Sequence, residues 1–116
     1  MMKTLLKLED AAIFIAAVVA FSQLEYVWWV YLGLFLLPDV AMVGYAAGPA
    51  AGAAAYNLAH HQGVAVGVLL LGWWLASSVL LLAGTVLLGH SAFDRVLGFG
   101  LKYPDAFAHT HFDEIA

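Results

Sequence analysis

The chain has 116 residues, of which 65% are hydrophobic and 10% charged, with a mean hydropathy of +0.93. Soluble domains carry about 25% charged residues, so a water-facing surface is excluded, and lipid is the solvent this composition suits. A net charge of −4 with no basic cluster argues against nucleic acid, and the absence of cysteine excludes disulfides, thiolate ligands and cysteine nucleophiles.

In hydrocarbon every backbone N–H and C=O must be paired internally, which leaves helices or closed barrels. Barrel strands alternate apolar and polar residues, whereas Val64–Leu75 and Val79–Leu88 are apolar throughout. The expected fold is therefore all-α, an integral membrane four-helix bundle forming one domain over 1–116. In chain order, the first span covers about 8–22. It follows Met1–Lys7, which resembles a signal-peptide start but runs into Glu9 and Asp10, so it reads as a retained span. Gln23–Glu25 makes a polar turn. The second span, about 26–47, opens with Tyr26, Trp28, Trp29 and Tyr31, residues that suit an interfacial aromatic belt. Gly48-Pro49 breaks the chain. The third span covers about 50–76, with a bend expected at Gly63, and Ser77-Ser78 supplies a turn and N-cap before the fourth, about 79–98. Gly48 and Gly52 have the spacing of close helix contact, read here as a turn with tight packing. Gly98, Gly100 and Pro104 stop the last helix, and 105–116 is a short polar tail.

Lys3, Lys7, Arg95 and Lys102 lie near the two termini. An even number of spans puts all four on one side, and positively charged flanks mark the cytoplasmic side. Both termini are thus expected in the cytoplasm, with the protein multi-pass in an inner (plasma) membrane among membrane lipids.

This topology gathers the ionisable residues. At about 1.5 Å per residue, Asp39 falls roughly 12 Å, His60 and His61 roughly 15 Å, and His90 roughly 12 Å from the cytoplasmic ends of their spans. His90 and Asp94 are four residues apart and share a helix face, as do Tyr56 with His60 and Asn57 with His61. Adjacent His60 and His61 point about 100° apart, so one of them at most faces a shared site. Pro38, before Asp39, lacks the N–H that would hold a carbonyl, which leaves backbone acceptors for a cavity. A charged group at a span's centre costs about 2.5–3.5 kcal/mol, so such residues are functional candidates by default. Imidazole and carboxylate together suit a divalent ion of the Zn²⁺ or Mn²⁺ kind. The candidate metal ligands are Asp39, His60, His61, His90 and Asp94; Asp39, His90, Asp94 and Arg95 are candidate catalytic residues, and Tyr56 and Asn57 candidate cofactor contacts. Simpler roles stand beside these. Asp39 could pair with Arg95 to staple two helices, His90 with Asp94 could be a plain hydrogen-bonded pair, and His109 and His111 read as a solvated end.

The strings Leu37-Pro-Asp39-Val-Ala-Met42-Val-Gly-Tyr45, Tyr56-Asn57-Leu-Ala-His60, His90-Ser-Ala-Phe-Asp94-Arg95-Val-Leu-Gly98 and Phe107-Ala-His109-Thr-His111 resemble a family of small bacterial membrane proteins, domain-of-unknown-function family 4260. That resemblance implies a fold and no activity. The order Pro38-Asp39, His60-His61, His90, Asp94, Gly98 is also similar to that of membrane-bound metal-dependent hydrolases regulated by the DNA-damage response. Here the Arg beside the middle His and a Thr-His-Ser string are missing. The leading expectation is a metal-dependent site in the cytoplasmic half of the bundle that hydrolyses a lipid-like or phosphorylated substrate, with Arg95 and Lys102 attracting an anion. Two alternatives use the same residues: an ion, proton or small-molecule transporter subunit, which requires a homo-oligomer, and a structural membrane protein without catalysis.

Overall fold

The computed structural model describes residues 1–101 and 110, and its elements are all helical. They are α1 (Met2–Ser22), α2 (Trp28–Leu34), a 3-10 helix (Leu37–Ala47), α3 (Pro49–His60), α4 (Gln62–Trp74) and α5 (Ser78–Val96). Two stretches are long and apolar enough to cross a membrane, Trp28–Ala47 and Ser78–Val96; α4 is apolar but shorter. The tail after Leu101, with Lys102, Pro104, His109 and His111, lies outside the described residues apart from buried Thr110.

The second expected span is a short α-helix that tightens at Phe35–Leu36 into eleven residues of 3-10 helix. Pro38 starts this change. It has no N–H to donate, and the Asp39 N–H reaches back to the Leu36 carbonyl at 3.0 Å rather than four residues back. Gly48, at φ +117°, reverses the chain into α3, where Pro49 occupies the first turn. The 3-10 helix and α3 then pack as a hairpin. A Cβ on Gly52 would fall 2.2 Å from the Tyr45 ring, and one on Gly44 would fall 2.8 Å from the Ala55 Cβ. The Gly48-x-x-x-Gly52 spacing thus serves a turn and a close helix contact.

The third expected span is two helices, and the break falls at His61, not Gly63. His61 is extended (φ −78°, ψ 121°) and caps α4, its Nδ1 accepting the Val64 N–H at 3.3 Å. α4 ends in a Schellman motif: the Ser77 N–H reaches the Gly72 carbonyl at 2.8 Å and the Ala76 N–H the Trp73 carbonyl at 3.2 Å. Ala76 takes the left-handed conformation there, φ 53°. Alanine carries a steric cost at such a position that glycine does not. Ala76→Gly is expected to stabilise the chain by about 1 kcal/mol, read as a raised thermal midpoint in detergent. Ser77 then caps α5, accepting the Leu80 N–H at 3.3 Å. α5 closes the same way at Gly98 (φ +98°), with the Phe99 N–H on the Asp94 carbonyl at 2.8 Å.

α5 is the centre of the assembly, packing on α1 along one side and α4 along another. Small residues permit this: a Cβ on Gly84 would strike Leu69, and one on Gly89 would lie 1.9 Å from the Tyr31 hydroxyl. That gap lets Tyr31 donate to the Thr85 carbonyl at 2.9 Å, pinning α2 to α5. Phe21, Tyr31 and Val86 form the core cluster, which Leu82 and Phe35 flank. The outer faces are apolar, and Trp28, Trp29, Trp73 and Trp74 are all highly exposed at the chain reversals that precede α2 and follow α4. Tyr26 and Ser78, with side-chain oxygens 3.2 Å apart, join that same end.

Candidate metal centre

Three elements bring four side chains together. Asp39 comes from the start of the 3-10 helix, His60 from the last residue of α3, and His90 and Asp94 from one face of α5. The packed hairpin of the 3-10 helix and α3 sets the first two side by side, and the four-residue helical spacing sets the other two. His60 and His90 are 3% and 1% exposed. His60 Nε2 lies 3.2 Å from Asp39 Oδ1 and 3.4 Å from Asp94 Oδ2; His90 Nε2 lies 3.0 Å and 3.2 Å from the same two oxygens. One ligand atom from each residue falls within 4.8 Å of all the others, a group able to hold a metal ion.

The other ring nitrogens decide the electrostatics. His90 Nδ1 meets the Phe35 carbonyl at 2.6 Å, and His60 Nδ1 meets the Tyr56 carbonyl at 2.9 Å. A carbonyl only accepts, so each Nδ1 carries the hydrogen and donates. In a neutral ring Nε2 is then a bare lone pair. Both lone pairs would face two carboxylate oxygens at about 3 Å, four acceptors with no donor among them. Such an arrangement needs a cation or a hydrogen inside it: a metal ion, or protons on the rings or the carboxylates. Metal-binding histidines commonly donate their second N–H to a backbone carbonyl, as both do here. The four nitrogen-to-oxygen separations run from 3.0 to 3.4 Å, close to the spacing of neighbouring ligand atoms around an ion with bonds of about 2.0–2.1 Å.

The supporting layer follows from the local sequence. In 3-10 register residue 38 would donate to the Phe35 carbonyl, but Pro38 has no N–H, so the acceptor is left for His90. Tyr56, one turn before His60, stacks on its ring at 3.8 Å and donates its hydroxyl to Asp94 Oδ2 at 3.3 Å. Phe35 and Phe93 lie against each other, and Phe35 also lies 5.2 Å from the His90 ring, walling that side with apolar surface. Tyr56→Phe is expected to weaken metal affinity about 10- to 100-fold, as loss of such outer partners does, while His61→Ala leaves it unchanged. Metal titration against a competing chelator checks both.

Of the candidate residues, Asp39, His60, His90, Asp94 and Tyr56 converge. His61 is exposed and caps α4 instead. Asn57 lines a shallow hollow with His61, away from the four ligand atoms. Asp39 is held by both histidines rather than by Arg95. Arg95 is partly buried and interacts electrostatically with Asp10, which is 6% exposed and accepts from Gln62 Nε2 across α1 and α4. Two contributors are invisible to residue-type reasoning. The Phe35 carbonyl is signalled only by the proline three residues later, and Gln62 only by being polar in a long apolar run.

No curated protein and no solved structure matches the chain. A family model, described as Domain of unknown function (DUF4260), matches residues 3–115. With nearly the whole chain covered, including every residue of the centre, this protein belongs to the DUF4260 family.

Proposed function

We propose that this chain is an inner-membrane, multi-pass protein whose Asp39, His60, His90 and Asp94 bind one divalent ion of the zinc or manganese kind, and that the centre hydrolyses a lipid-like or phosphorylated substrate. The observation that carries this reading is the outward donation of both Nδ1–H groups, which turns two bare Nε2 atoms onto two carboxylates. In a membrane such a cluster is costly unless a cation compensates it. Lys3 and Lys7 near one end of the sequence and Arg95 and Lys102 near the other, with no Lys or Arg between, favour cytoplasmic termini.

When bound, the ion would polarise the scissile group and lower the pKa of a water. The residues of the chain then divide the remaining work. Asp39 has a side chain 35% exposed against 17% for Asp94, so it borders the opening; its Oδ1 lies on the two histidines as the ligand atom, and its second oxygen is assigned as the base. It takes one proton from the attacking water. The water oxygen bonds to carbon or phosphorus, the bond to the alcohol oxygen breaks, and the proton passes from Asp39 to that alkoxide. Asp94, fixed by Tyr56, stays a ligand. Arg95 offsets the charge of Asp10.

Protein purified without chelators should carry close to one metal per chain and release p-nitrophenol from p-nitrophenyl phosphate or p-nitrophenyl laurate in a metal-dependent way. Absence of stoichiometric metal would sink the reading. One observation favours a second role: both imidazoles and both carboxylates lie within 3.0–3.4 Å of one another across four contacts, a connected set along which a proton can pass. A metal-free protein that conducts protons in proteoliposomes as a homo-oligomer would establish that transporter reading instead.

A further inference from the structure

The walls that carry the ligands also enclose a hollow of about 390 Å³ that the chemistry above leaves unused. Its lining is entirely Leu, Ala, Val and Pro. Pro38 and Ala59 line it, the neighbours of Asp39 and His60, and Val86 lines it one turn before His90. Along α5 it extends from Val79 to Leu87, about 12 Å of helix. Three alanines, Ala41, Ala59 and Ala83, make the space: each ends at Cβ where a larger residue would fill it. The volume lies within the roughly 300–1,000 Å³ of small-molecule pockets.

We infer that this groove holds the hydrocarbon chain of the substrate, so that the centre acts on single-chain amphiphiles whose polar head sits at Asp39. The inference rests on the hydrolytic reading and narrows its substrate class. Continuity carries it. The groove shares all three ligand-bearing elements, and a chain lying along Val79–Leu87 ends one helical turn from His90. A head attached there meets Asp39, the more exposed carboxylate of the four-residue group. The second hollow, also about 390 Å³, lies among Phe14, Phe21, Trp28 and Phe35 on the α1 side and draws no wall from α3. It serves as an internal control.

The test uses the zinc-loaded full chain in nanodiscs and two photoreactive probes carrying a diazirine at the chain end, dodecyl phosphate and the matching dodecanol. Cross-linked residues are located by mass spectrometry, with metal content measured on the same samples. The expected result is phosphate-probe labelling concentrated on Val79, Leu82 and Leu34, the lining away from Asp39, at least tenfold above both the dodecanol probe and the Phe14–Trp28 hollow. Ala83→Trp should cut that labelling at least fivefold with one metal per chain retained, and Ala41→Phe should do the same from the opposite wall. Labelling spread evenly over lipid-facing α1, or equal labelling by the two probes, overturns the groove even when the metal is present. Loss of the metal with groove labelling intact overturns the hydrolytic centre and leaves the groove as a site for chains.

Discussion

His90→Ala is expected to release the metal, weakening affinity by more than the roughly 100-fold upper range for loss of an outer partner. The ring is 1% exposed, supplies one ligand nitrogen, and is the donor for the Phe35 carbonyl. Removing it therefore acts twice. The centre loses a ligand that nothing nearby replaces, and a buried carbonyl loses its donor, which costs about 1–3 kcal/mol. Competition against a chelator of known affinity measures the first effect, and thermal unfolding followed by circular dichroism the second. His61→Ala is the matched control, because that imidazole is exposed and does no more than cap α4. Unchanged metal content in His90→Ala would remove the cluster from consideration.

Chelation of the wild-type chain should lower its stability, by about 2.7 kcal/mol relative to protein held at a free metal concentration 100 times the dissociation constant. The reason is mechanical as well as electrostatic. The hairpin of the 3-10 helix and α3 packs chiefly on itself, with far less contact to α4 and α5. The cluster is a principal tie between that hairpin and α5. Without the ion, two carboxylates and two imidazole lone pairs are left face to face, and the hairpin loses its anchor. A thermal shift that appears on chelation in the wild type and is absent in His90→Ala would locate the effect at this centre. The same shift in both would place it elsewhere.

The polar layer was legible because position along a helix axis is close to a linear function of residue number. Counting from the positive ends set Asp39, His60 and His90 within a few ångströms of one level, with Asp94 about one helical turn nearer the surface, and the four ligand atoms do meet. The role of Pro38 was legible in kind, since a missing donor frees an acceptor whatever the fold. Which carbonyl it frees depends on the register of the helix, and a 3-10 stretch of eleven residues has no signature in apolar residue types. One helix is expected over Ala50–Ala76 because the stretch carries no Asp, Glu, Lys or Arg and its polar residues, Asn57 and His60-His61-Gln62, are compatible with a helix. Hydropathy does not register a break made by one extended residue, and His61 breaks the helix by using its own ring as the cap. That break also decides the choice between the two histidines, because it ends α3 at His60 and turns His61 outward. Asp39 with Arg95 was a reasonable pairing by charge alone. Asp10, buried on α1, takes the place beside Arg95 that this alternative gave to Asp39.

X-ray absorption at the metal edge, on the zinc- or manganese-loaded chain in detergent, tests the centre most directly. Two imidazole rings and oxygen from two carboxylates should appear in the first shell, at about 2.0–2.1 Å for zinc, with the outer-shell scattering of both rings lost by half in His60→Ala. A spectrum without imidazole scattering, or a chain that retains no metal edge at all after non-chelating purification, would contradict a divalent ion held by Asp39, His60, His90 and Asp94.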